Sequence, residues 1–262
     1  MRLPNLSEAI ISLMKPEIIE KLRRINDEFY QTFADSFSST RRRIQPGIRR
    51  ILEVIPEEGN WLDIGCGNGA LAIEWVRQQR KGIYFGIDFS ERLLENAKDE
   101  IIKVGQAPNL SVEFFPVELM QADWIKKLPL IEWQGTLMFA VLHHIPGKDN
   151  RERICLDVRN LLPAGMPFYL SVWQIQNSPR MIKRIQPWSN AGLDKSEVEE
   201  GDVVVDWRAE LPDSSSQPGL RFVHIFNEDE LSALAVKTGF KVVRSFYSDG
   251  KEGNLALYHE WV

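Results

Sequence analysis

Short runs of apolar residues alternate along the middle of the chain with longer stretches in which apolar residues recur at helical spacing. The apolar runs predict strands at 61–64, 83–87, 112–117, 136–141 and 167–173. The helical spacing predicts helices at 70–80, 91–104 and 151–162. Strands that are apolar throughout and alternate with helices are typical of a parallel sheet covered on both faces. The pattern therefore predicts an α/β fold: a doubly wound, mostly parallel sheet with helices on both faces.

The N-terminal part adds helices before this alternation begins. Helical spacing marks residues 8–24 and then about 25–37. A proline at position 46 suits the first turn of a further helix. We therefore expect an N-terminal helical extension over residues 1–50, followed by a single domain over 51–262.

The alternation of strands and helices breaks after the fifth predicted strand. Residues 174–220 are rich in proline, glycine, serine and acids, and we interpret them as an insertion over the edge or the mouth of the sheet. The alternation resumes with a helix near 228–238 and strands near 241–247 and 254–261. These two strands bring the predicted sheet to seven.

Composition narrows the class of protein without indicating a function. Of the 262 residues, 44% are hydrophobic and 26% are charged, as in ordinary globular domains. The two cysteines, Cys66 and Cys155, match no zinc-binding spacing, so we expect reduced thiols and no metal. The sequence contains no apolar run of about 18 residues, so we expect no membrane contact and a cytoplasmic location. The net charge of −5 argues against a protein that coats nucleic acid by charge alone.

The strongest local signal is the segment Asp63-Ile64-Gly65-Cys66-Gly67-Asn68-Gly69, between a predicted strand and a predicted helix. Glycines at such a point allow a tight turn and bring backbone amides close to a ligand, because no Cβ stands in the way. Open α/β sheets bind ligands in the crevice outside the carboxyl ends of their strands. The segment therefore predicts a ligand-binding loop.

Acidic residues follow the next two strands. Asp88 ends the second strand about 20 residues beyond the glycine loop, as expected of an acid that accepts hydrogen bonds from ribose hydroxyls. Phe89 follows it directly. After the third strand, Asp123 is suited to accept from an adenine amino group and Trp124 to cover the face of the ring. The predicted ligand is therefore a nucleoside.

This arrangement resembles the class I S-adenosylmethionine-dependent methyltransferases, whose Rossmann-like fold carries an acid-x-Gly-x-Gly-x-Gly segment. The resemblance implies a methyl-transferring enzyme with S-adenosyl-L-methionine as cofactor. It implies that Gly65 and Gly67 contact the methionine end of the cofactor and that Asp63 holds its ammonium group. By the same resemblance, Asp88 takes the ribose and Asp123 the adenine. The full set of predicted cofactor-binding residues is Asp63, Gly65, Cys66, Gly67, Asp88, Phe89, Asp123, Trp124 and Ala140.

Two rival interpretations use the same loop. Gly-x-Gly-x-x-Ala at 65–70 followed by Asp88 also satisfies the fingerprint of dinucleotide-binding proteins. Against that fingerprint stand the carboxylate of Asp63, which suits an ammonium better than a pyrophosphate, the third glycine at position 69 and the acid at 123. The other rival is a non-catalytic module that binds the cofactor and acts through a partner, and it predicts binding without turnover.

A narrower resemblance rests on five pieces that occur in order along the chain. They are Phe37-Ser38-Ser39-Thr40-Arg41, the run Ala140-Val141-Leu142-His143-His144-Ile145, Ser171-Val172-Trp173-Gln174, the insertion, and Arg221-Phe222-Val223-His224-Ile225-Phe226 before an acidic helix. Together they are similar to the tRNA wobble-uridine carboxymethyl methyltransferases. That family esterifies a carboxymethyl group on a modified uridine of the anticodon loop, so the resemblance implies tRNA as a partner.

The implied reaction determines which residues would contact the acceptor. A carboxylate is already ionised at neutral pH, so the enzyme must supply alignment and exclusion of water more than a general base. Carried over by motif, Arg41 is the predicted clamp on the carboxylate, because a guanidinium pairs with it in a planar fork. His143 is the second predicted catalytic residue. His144, Arg221 and His224 are predicted substrate contacts.

The charges of the sequence leave the acceptor open. Five arginines lie at 41–50, and Arg180, Lys183 and Arg184 extend a possible phosphate track, but residues 194–213 hold eight acids. The alternative is therefore a methyltransferase of a small acid or amine, with the insertion as a lid. The eukaryotic members of the resembled family also imply a small zinc-binding activator subunit as a partner.

Overall fold

Ten strands and seven α-helices make up the described chain. The computed structural model describes residues 14–40, 43–105, 107–207 and 219–262, with positions 36, 37, 39 and 40 described by their backbone alone. The strands are β1 (Glu58–Ile64), β2 (Lys81–Asp88), β3 (Leu110–Pro116), β4 (Gly135–Phe139), β5 (Phe168–Trp173), β6 (Ile185–Gln186), β7 (Asp202–Trp207), β8 (Gly219–His224), β9 (Val242–Ser248) and β10 (Ala256–Trp261). The helices are α1 (Pro16–Thr40), α2 (Pro46–Leu52), α3 (Ala70–Arg77), α4 (Glu91–Val104), α5 (Lys148–Leu161), α6 (Pro179–Ile182) and α7 (Glu228–Lys237).

Seven of these strands form one sheet in the order β3-β2-β1-β4-β5-β10-β9. Strands β1 to β5 run parallel, whereas β10 runs antiparallel to both of its neighbours, β5 and β9. The register pairs Asp63 of β1 with Gly86 of β2, so the carboxyl ends of these strands lie side by side. The predicted doubly wound, mostly parallel, seven-stranded fold is confirmed.

Different helices pack on the two faces of the sheet. Consecutive residues of a strand point to opposite faces, so they contact different helices. In β1, Trp61 and Leu62 belong to separate apolar clusters. The cluster around Trp61 includes residues of α2, α3 and α4, and the cluster around Leu62 includes residues of α5 and α7. Helices therefore cover both faces. Within the described ranges, none of the helices has both the length and the apolar character needed to cross a bilayer.

A single helix, α1, stands where the sequence predicted two helices, at 8–24 and at 25–37. The prediction of a break is wrong, and residues 8–13 lie outside the described residues. The polar residue Asn26 lies where the two predicted stretches meet, and the helix runs through it. Its side chain is buried and has partners within the fold.

Those partners join α1 to the rest of the molecule. The side chain of Asn26 is 5% exposed. Its Oδ1 accepts a hydrogen bond from the N–H of Phe222 at 2.8 Å, and its Nδ2 donates to the carbonyl of His144 at 3.0 Å. Buried polar groups are stable in a core when they are hydrogen-bonded in this way. One amide therefore connects α1 to β8 and to the turn after β4.

The segment that interrupts the strand–helix alternation contains a second sheet. Strand β7 pairs antiparallel with β6 on one side and with β8 on the other. Strand β8 packs along α1, so this small sheet and α1 lie together over the carboxyl ends of the large sheet. The predicted domain boundary at residue 50 and the predicted limits of the insertion, 174–220, stay predictions.

A buried arginine, Arg80, joins the end of α2 to the apolar cluster around Trp61. The guanidinium group of Arg80 is 3% exposed and donates to the carbonyls of Leu52 at 2.6 Å and Pro56 at 2.9 Å. Its Cζ lies 4.6 Å from the ring centroid of Trp75, at a distance typical of a cation–π contact. Arg80 therefore satisfies the carbonyls at the end of α2, which have no partner within the helix.

Replacement of Arg80 by leucine should destabilise the fold. The carbonyls of Leu52 and Pro56 would stay buried without a donor, so we expect a loss of about 2–3 kcal/mol in the free energy of unfolding. Urea denaturation measures this loss. Arg77→Leu on the exposed face of α3 is the matched control, and it should change the stability by less than about 0.5 kcal/mol. Equal effects of the two substitutions would contradict the anchoring role of Arg80.

Candidate active site

The carboxyl ends of the parallel strands open into a cavity of about 350 Å³. The segments that follow β1, β2, β4 and β5 form its floor, and α1 and the small sheet form its cover. Residues of both layers line it: Gly65, Gly67, Asp88, Ala140 and Ser171 from the floor, and Tyr30, Trp207 and Arg221 from the cover. This is the place at which open α/β sheets bind ligands.

The glycine loop after β1 presents its backbone to the cavity. Gly65 and Gly67 have φ angles of 71° and 54°, in the left-handed region that glycine adopts without strain. A Cβ at Gly65 would collide with the side chain of Val141. A Cβ at Gly67 would meet no atom within 4 Å, because Gly67 faces the open cavity. The loop therefore leaves a space against its own backbone that a ligand can fill.

Asp88 fixes this loop from the end of β2. Its Oδ2 accepts a hydrogen bond from the N–H of Gly67 at 2.9 Å, and its Oδ1 accepts one from the N–H of Ser90 at 2.9 Å. Burial raises the pKa of this carboxyl to about 6, although both hydrogen bonds favour the charged form. A carboxylate has about four acceptor positions, so Asp88 can also accept from hydroxyl groups of a ligand.

The pKa of Asp63, near the end of β1, is raised further than that of Asp88. Burial raises the pKa of its carboxyl to about 7; the hydrogen bond donated by the Tyr84 hydroxyl opposes this rise, and the charge of Asp88 adds to it. Burial also raises the pKa of the neighbouring Cys66, which keeps that group a neutral thiol. A ligand ammonium beside Asp63 would replace the lost hydration and favour the ionised carboxylate. The position is therefore suited to a cationic group.

Asp63→Asn should stabilise the cofactor-free protein above neutral pH. Because its folded-state pKa is raised to about 7 from an ordinary 3.8, the wild-type carboxyl loses its contribution to stability as the pH rises from about 4 through 7. Asparagine does not ionise and still accepts from Tyr84. We expect a melting temperature higher by about 2–4 °C at pH 8, no gain at pH 4, and cofactor binding weaker by about tenfold or more.

Thermal unfolding at both pH values and calorimetry of cofactor binding test this expectation. Asp123→Asn is the matched control, since that carboxylate is 62% exposed and its removal should produce no pH-dependent gain. An Asp63→Asn variant that melts below the wild type at pH 8 would show that the carboxylate stabilises the free protein.

Ala140, directly after β4, has a backbone conformation that is unusual for a residue with a side chain. Its φ is 57°, in the left-handed region, and it lines the cavity. Its N–H donates to the carbonyl of Ser171 at 3.0 Å and to the Ser171 hydroxyl at 3.1 Å. Such strained positions cost on the order of 1 kcal/mol and concentrate at functional sites. The strain turns the chain sharply between β4 and the paired histidines.

The two predicted histidines differ in their position. His144 lines the cavity, whereas His143 is fully buried behind it, with its ring centroid 4.9 Å from that of Trp173. His144 Nδ1 lies 2.9 Å from the carbonyl of Phe222, so this nitrogen carries a proton. His144 Nε2 then accepts from the hydroxyl of Tyr30 at 3.2 Å when the ring is neutral. The structure thus fixes the orientation of His144.

Asp123 and Trp124, the two residues predicted to recognise adenine, do not line the cavity. Trp124 is completely buried in the core, and its Nε1 donates to Asp157 at 2.8 Å. Its ring therefore cannot cover a ligand in the cavity, and that part of the prediction is wrong. The Asp123 side chain is exposed and lies 3.9 Å from the ammonium of Lys126. The segment after β3 instead contributes Glu118, Leu119 and Met120 to the lining.

Arg221 lies in the cover of the cavity, and the predicted clamp Arg41 lies outside the described residues. The side chain of Arg221 is 1% exposed. Its Cζ lies within 4.6–5.0 Å of three ring centroids, those of Phe29, Trp173 and Trp207. The aromatic rings and the guanidinium together form a rigid, apolar wall with one positive charge.

His224 does not line the cavity. Its two ring nitrogens lie 2.7 Å from Asp202 and 2.9 Å from Glu230. Burial alone would lower the pKa of His224, but these two hydrogen bonds raise it above its ordinary value. Ligand atoms of Glu199, Asp202 and His224 lie within 4.8 Å of one another, but Glu199 pairs with Arg151 at 2.7 Å. The group is an ion-pair network that joins the small sheet to the core.

An aspartate that the sequence did not indicate anchors the first turn of α2. Asp249 is buried, lines the cavity and has a φ of 68°. It accepts hydrogen bonds from the N–H of Gly47 at 2.9 Å and from the hydroxyl of Tyr258 at 2.6 Å. In sequence, Asp249-Gly250 reads as an ordinary turn. In the structure, Asp249 joins the first turn of α2 to β10 at the cavity.

The carboxylates and the guanidinium groups that line the cavity differ in whether they have hydrogen-bond partners within the protein. The carboxylates belong to Asp27, Asp63, Asp88, Glu118 and Asp249, and the guanidinium groups to Arg23, Arg43, Arg184 and Arg221. Each of these carboxylates accepts at least one hydrogen bond within the protein, and Arg23 pairs with two of them. By contrast, the guanidinium groups of Arg43 and Arg184 make no hydrogen bond or ion pair with the described residues. Arg43 and Arg184 therefore offer the cavity hydrogen-bond donors that the described residues do not use.

The fold and this site define the class of the protein. The family model described as a methyltransferase domain matches residues 37–245, and the chain belongs to that family. The predicted class, an S-adenosylmethionine-dependent methyltransferase with S-adenosyl-L-methionine as its cofactor, is confirmed. The dinucleotide interpretation of the glycine loop is thereby excluded.

Individual relatives agree with this class. The chain is 27% identical over 224 residues to a candidate methyltransferase of Encephalitozoon cuniculi, covering 84% of this chain and 89% of that one. It is 26% identical over 189 residues to the tRNA (carboxymethyluridine(34)-5-O)-methyltransferase of Arabidopsis thaliana, covering 68% of this chain and 41% of that enzyme. In fold it is similar to a crystal structure from Methanosarcina mazei with a TM-score of 0.61, at 21% identity over 83% of this chain and 97% of that one.

Proposed function

We propose that this methyltransferase esterifies the carboxylate of a carboxymethyl group on a tRNA wobble uridine. Two of the cavity's guanidinium groups carry the proposal: those of Arg43 and Arg184 make no hydrogen bond or ion pair with the described residues, and their free donors are suited to an anionic acceptor. The name of the Arabidopsis relative supports this acceptor. The chain spans less than half the length of that enzyme, so the acceptor remains part of the proposal.

Residues at the ends of β1, β2 and β4 would hold the cofactor. Asp63 would hold its ammonium group, because this buried carboxylate lacks a cationic partner among the described residues. The backbone at Gly65 and Gly67 would contact the methionine end, in the open space beside Gly67. Asp88 would accept from the ribose hydroxyls while it holds the loop. Phe89, which also lines the cavity, would pack against the nucleoside.

When bound, the cofactor supplies a methyl group on a sulfonium, which passes to the carboxylate oxygen as the carbon–sulfur bond breaks and a neutral thioether is left. The described residues need not remove a proton, because the acceptor is already ionised. Tyr30, Trp173 and Trp207 line the cavity and exclude water from it. Tyr30 also fixes the orientation of His144 at the same wall. Alignment of the acceptor is therefore the main contribution of the protein.

The other residues predicted to contact the acceptor would have different roles. Arg41 stays the predicted clamp on the carboxylate. His143 would act from behind, since its ring packs on His144 and Trp173 and does not reach the cavity. Arg221 would contribute its charge to the aromatic wall. His224 would act only through the small sheet that it stabilises. The zinc-binding activator subunit stays a prediction from resemblance.

A small acid is the second candidate acceptor. The specific observation in its favour is the cover, since α1 and the small sheet enclose a cavity whose volume, about 350 Å³, lies in the range of small-molecule sites. A nucleotide would have to enter as a single base turned out of its stack. The two candidates are distinguished by the molecule in which the transferred methyl group is found.

Incubation with methyl-labelled cofactor tests the acceptor. We expect the label to enter an anticodon stem-loop RNA that carries 5-carboxymethyluridine, and not the matched RNA with unmodified uridine. Mild alkali should release the label, because a methyl ester is hydrolysed under these conditions. The assay is run with the purified chain and again with cell extract, so that an activator is supplied. Alkali-stable label, or label only in small metabolites, would refute the proposal.

A pair of substitutions tests the cofactor assignment. Asp88→Ala removes both the ribose acceptor and the partner of Gly67, so we expect the dissociation constant of S-adenosyl-L-methionine to rise by about tenfold or more. Asp123→Ala should raise it by less than about threefold, since Asp123 is exposed and lies outside the cavity lining. Calorimetry measures both constants. A larger effect at Asp123 would restore its predicted role at the adenine.

A further inference from the structure

Arg184 follows α6, at the point where the insertion meets the cavity. Its backbone is held in place, because its carbonyl accepts hydrogen bonds from the N–H of Asp206 at 2.9 Å and from the side chain of Gln186 at 3.2 Å. Its side chain is half-buried and lines the cavity together with Met181. The guanidinium makes no hydrogen bond or ion pair with any residue of the described ranges. It is thus a positioned group with unused donors.

The surroundings of Arg184 keep this charge uncompensated. Residues 174–193 contain Arg180, Lys183 and Arg184 and no acid. The acids of the insertion begin at Asp194, and they serve the fold: Asp194 caps the turn that follows it, and Glu199 pairs with Arg151. The half of the insertion that faces the cavity is therefore basic, although the insertion as a whole is acidic.

One carboxylate does not account for two uncommitted arginines. A guanidinium fork satisfies a carboxylate in a planar pair, so a single carboxymethyl group needs one arginine. Arg43 and Arg184 both line the cavity, and they come from separate segments, before α2 and after α6. An acceptor with a second anionic group would satisfy both. In a polynucleotide, the nearest such group is a backbone phosphate.

We propose that Arg184 binds a backbone phosphate of the nucleotide whose carboxymethyl group is methylated. This inference rests on the proposed function and adds a feature that separates a polynucleotide acceptor from a small acid. The phosphate contact would fix the position of the nucleotide at the mouth of the cavity and leave the carboxylate to the arginines at its other wall. Phosphate contacts position a nucleic acid without reading its sequence.

Arg184→Gln tests the phosphate contact, with two acceptors compared. For the anticodon stem-loop RNA with 5-carboxymethyluridine, we expect KM to rise about tenfold with kcat nearly unchanged, and the salt dependence of RNA binding to flatten by about 0.7 in log–log slope. For the free nucleoside 5-carboxymethyluridine, which has no phosphate, KM should not change. Arg77→Gln is the matched control, because Arg77 is exposed on α3 outside the cavity, and it should raise KM for the RNA less than threefold.

Each outcome separates the phosphate contact from the proposed function. An unchanged KM for the RNA, or equal rises for the RNA and the nucleoside, would overturn the phosphate assignment, and equal rises would place Arg184 on the nucleoside itself. A wild-type chain that methylates neither acceptor, by itself or with cell extract, would refute the proposed function. In that case, binding of the labelled RNA, followed by fluorescence anisotropy, still decides the inference: an Arg184→Gln variant with an unchanged salt slope would overturn it.

Discussion

The burial of two carboxyl groups side by side constrains the whole site. Asp63 and Asp88 end neighbouring parallel strands, and burial raises the pKa of both, to about 7 and about 6. A carboxylate in such a place is costly unless hydrogen bonds or an opposite charge compensate it. Asp88 is compensated by the backbone N–H groups of Gly67 and Ser90, so it also sets the shape of the glycine loop. Asp63 has a phenol as its side-chain donor, and a cationic ligand would complete its surroundings. Burial of the ionised Asp63 carboxylate thus destabilises the free protein at the point where the ammonium of the cofactor would bind.

The cover of the cavity depends on a second polar contact. Asn26 and His144 together bond the backbone of Phe222, so α1, the turn after β4 and β8 meet at one point. These three segments come from distant parts of the sequence, and none of them would hold its position over the sheet without the others. Because Tyr30 bonds His144 at the same point, the packing of the cover also determines the orientation of a residue that lines the cavity. The stability of the cover and the geometry of the cavity are therefore linked.

The sequence predicts the elements with strong local signals and misses the ones that depend on distant contacts. The helix predicted at 91–104 has those limits in the structure, and the strand–loop–helix around Gly65 is where the glycines placed it. Trp124 was misassigned because a tryptophan next to an acid after a strand has the same pattern whether it faces a ligand or the core. Its partner Asp157 lies 33 residues away, and no local pattern shows that contact.

The same limit explains the positions that the sequence did not indicate. Nothing in the sequence marks Asn26 as a buried residue, because its partners Phe222 and His144 lie far along the chain. Asp249 gives no signal at all, because its function depends on Gly47, 202 residues away. Residues whose role is to join distant segments therefore need the three-dimensional structure to be recognised.

Net charge is a poor guide to what this cavity binds, because several acids of the insertion are used inside the protein. Asp194 caps a turn, Glu199 pairs with Arg151 and Asp202 bonds His224. A carboxylate that is paired with a cation within the fold contributes little to the field that an approaching ligand meets, whereas an unpaired guanidinium contributes its full charge over a Debye length of about 8 Å at physiological salt. What matters for an anionic acceptor is therefore the presence of cations with unused donors at the cavity. Arg43 and Arg184 supply two such groups in a chain whose net charge is −5.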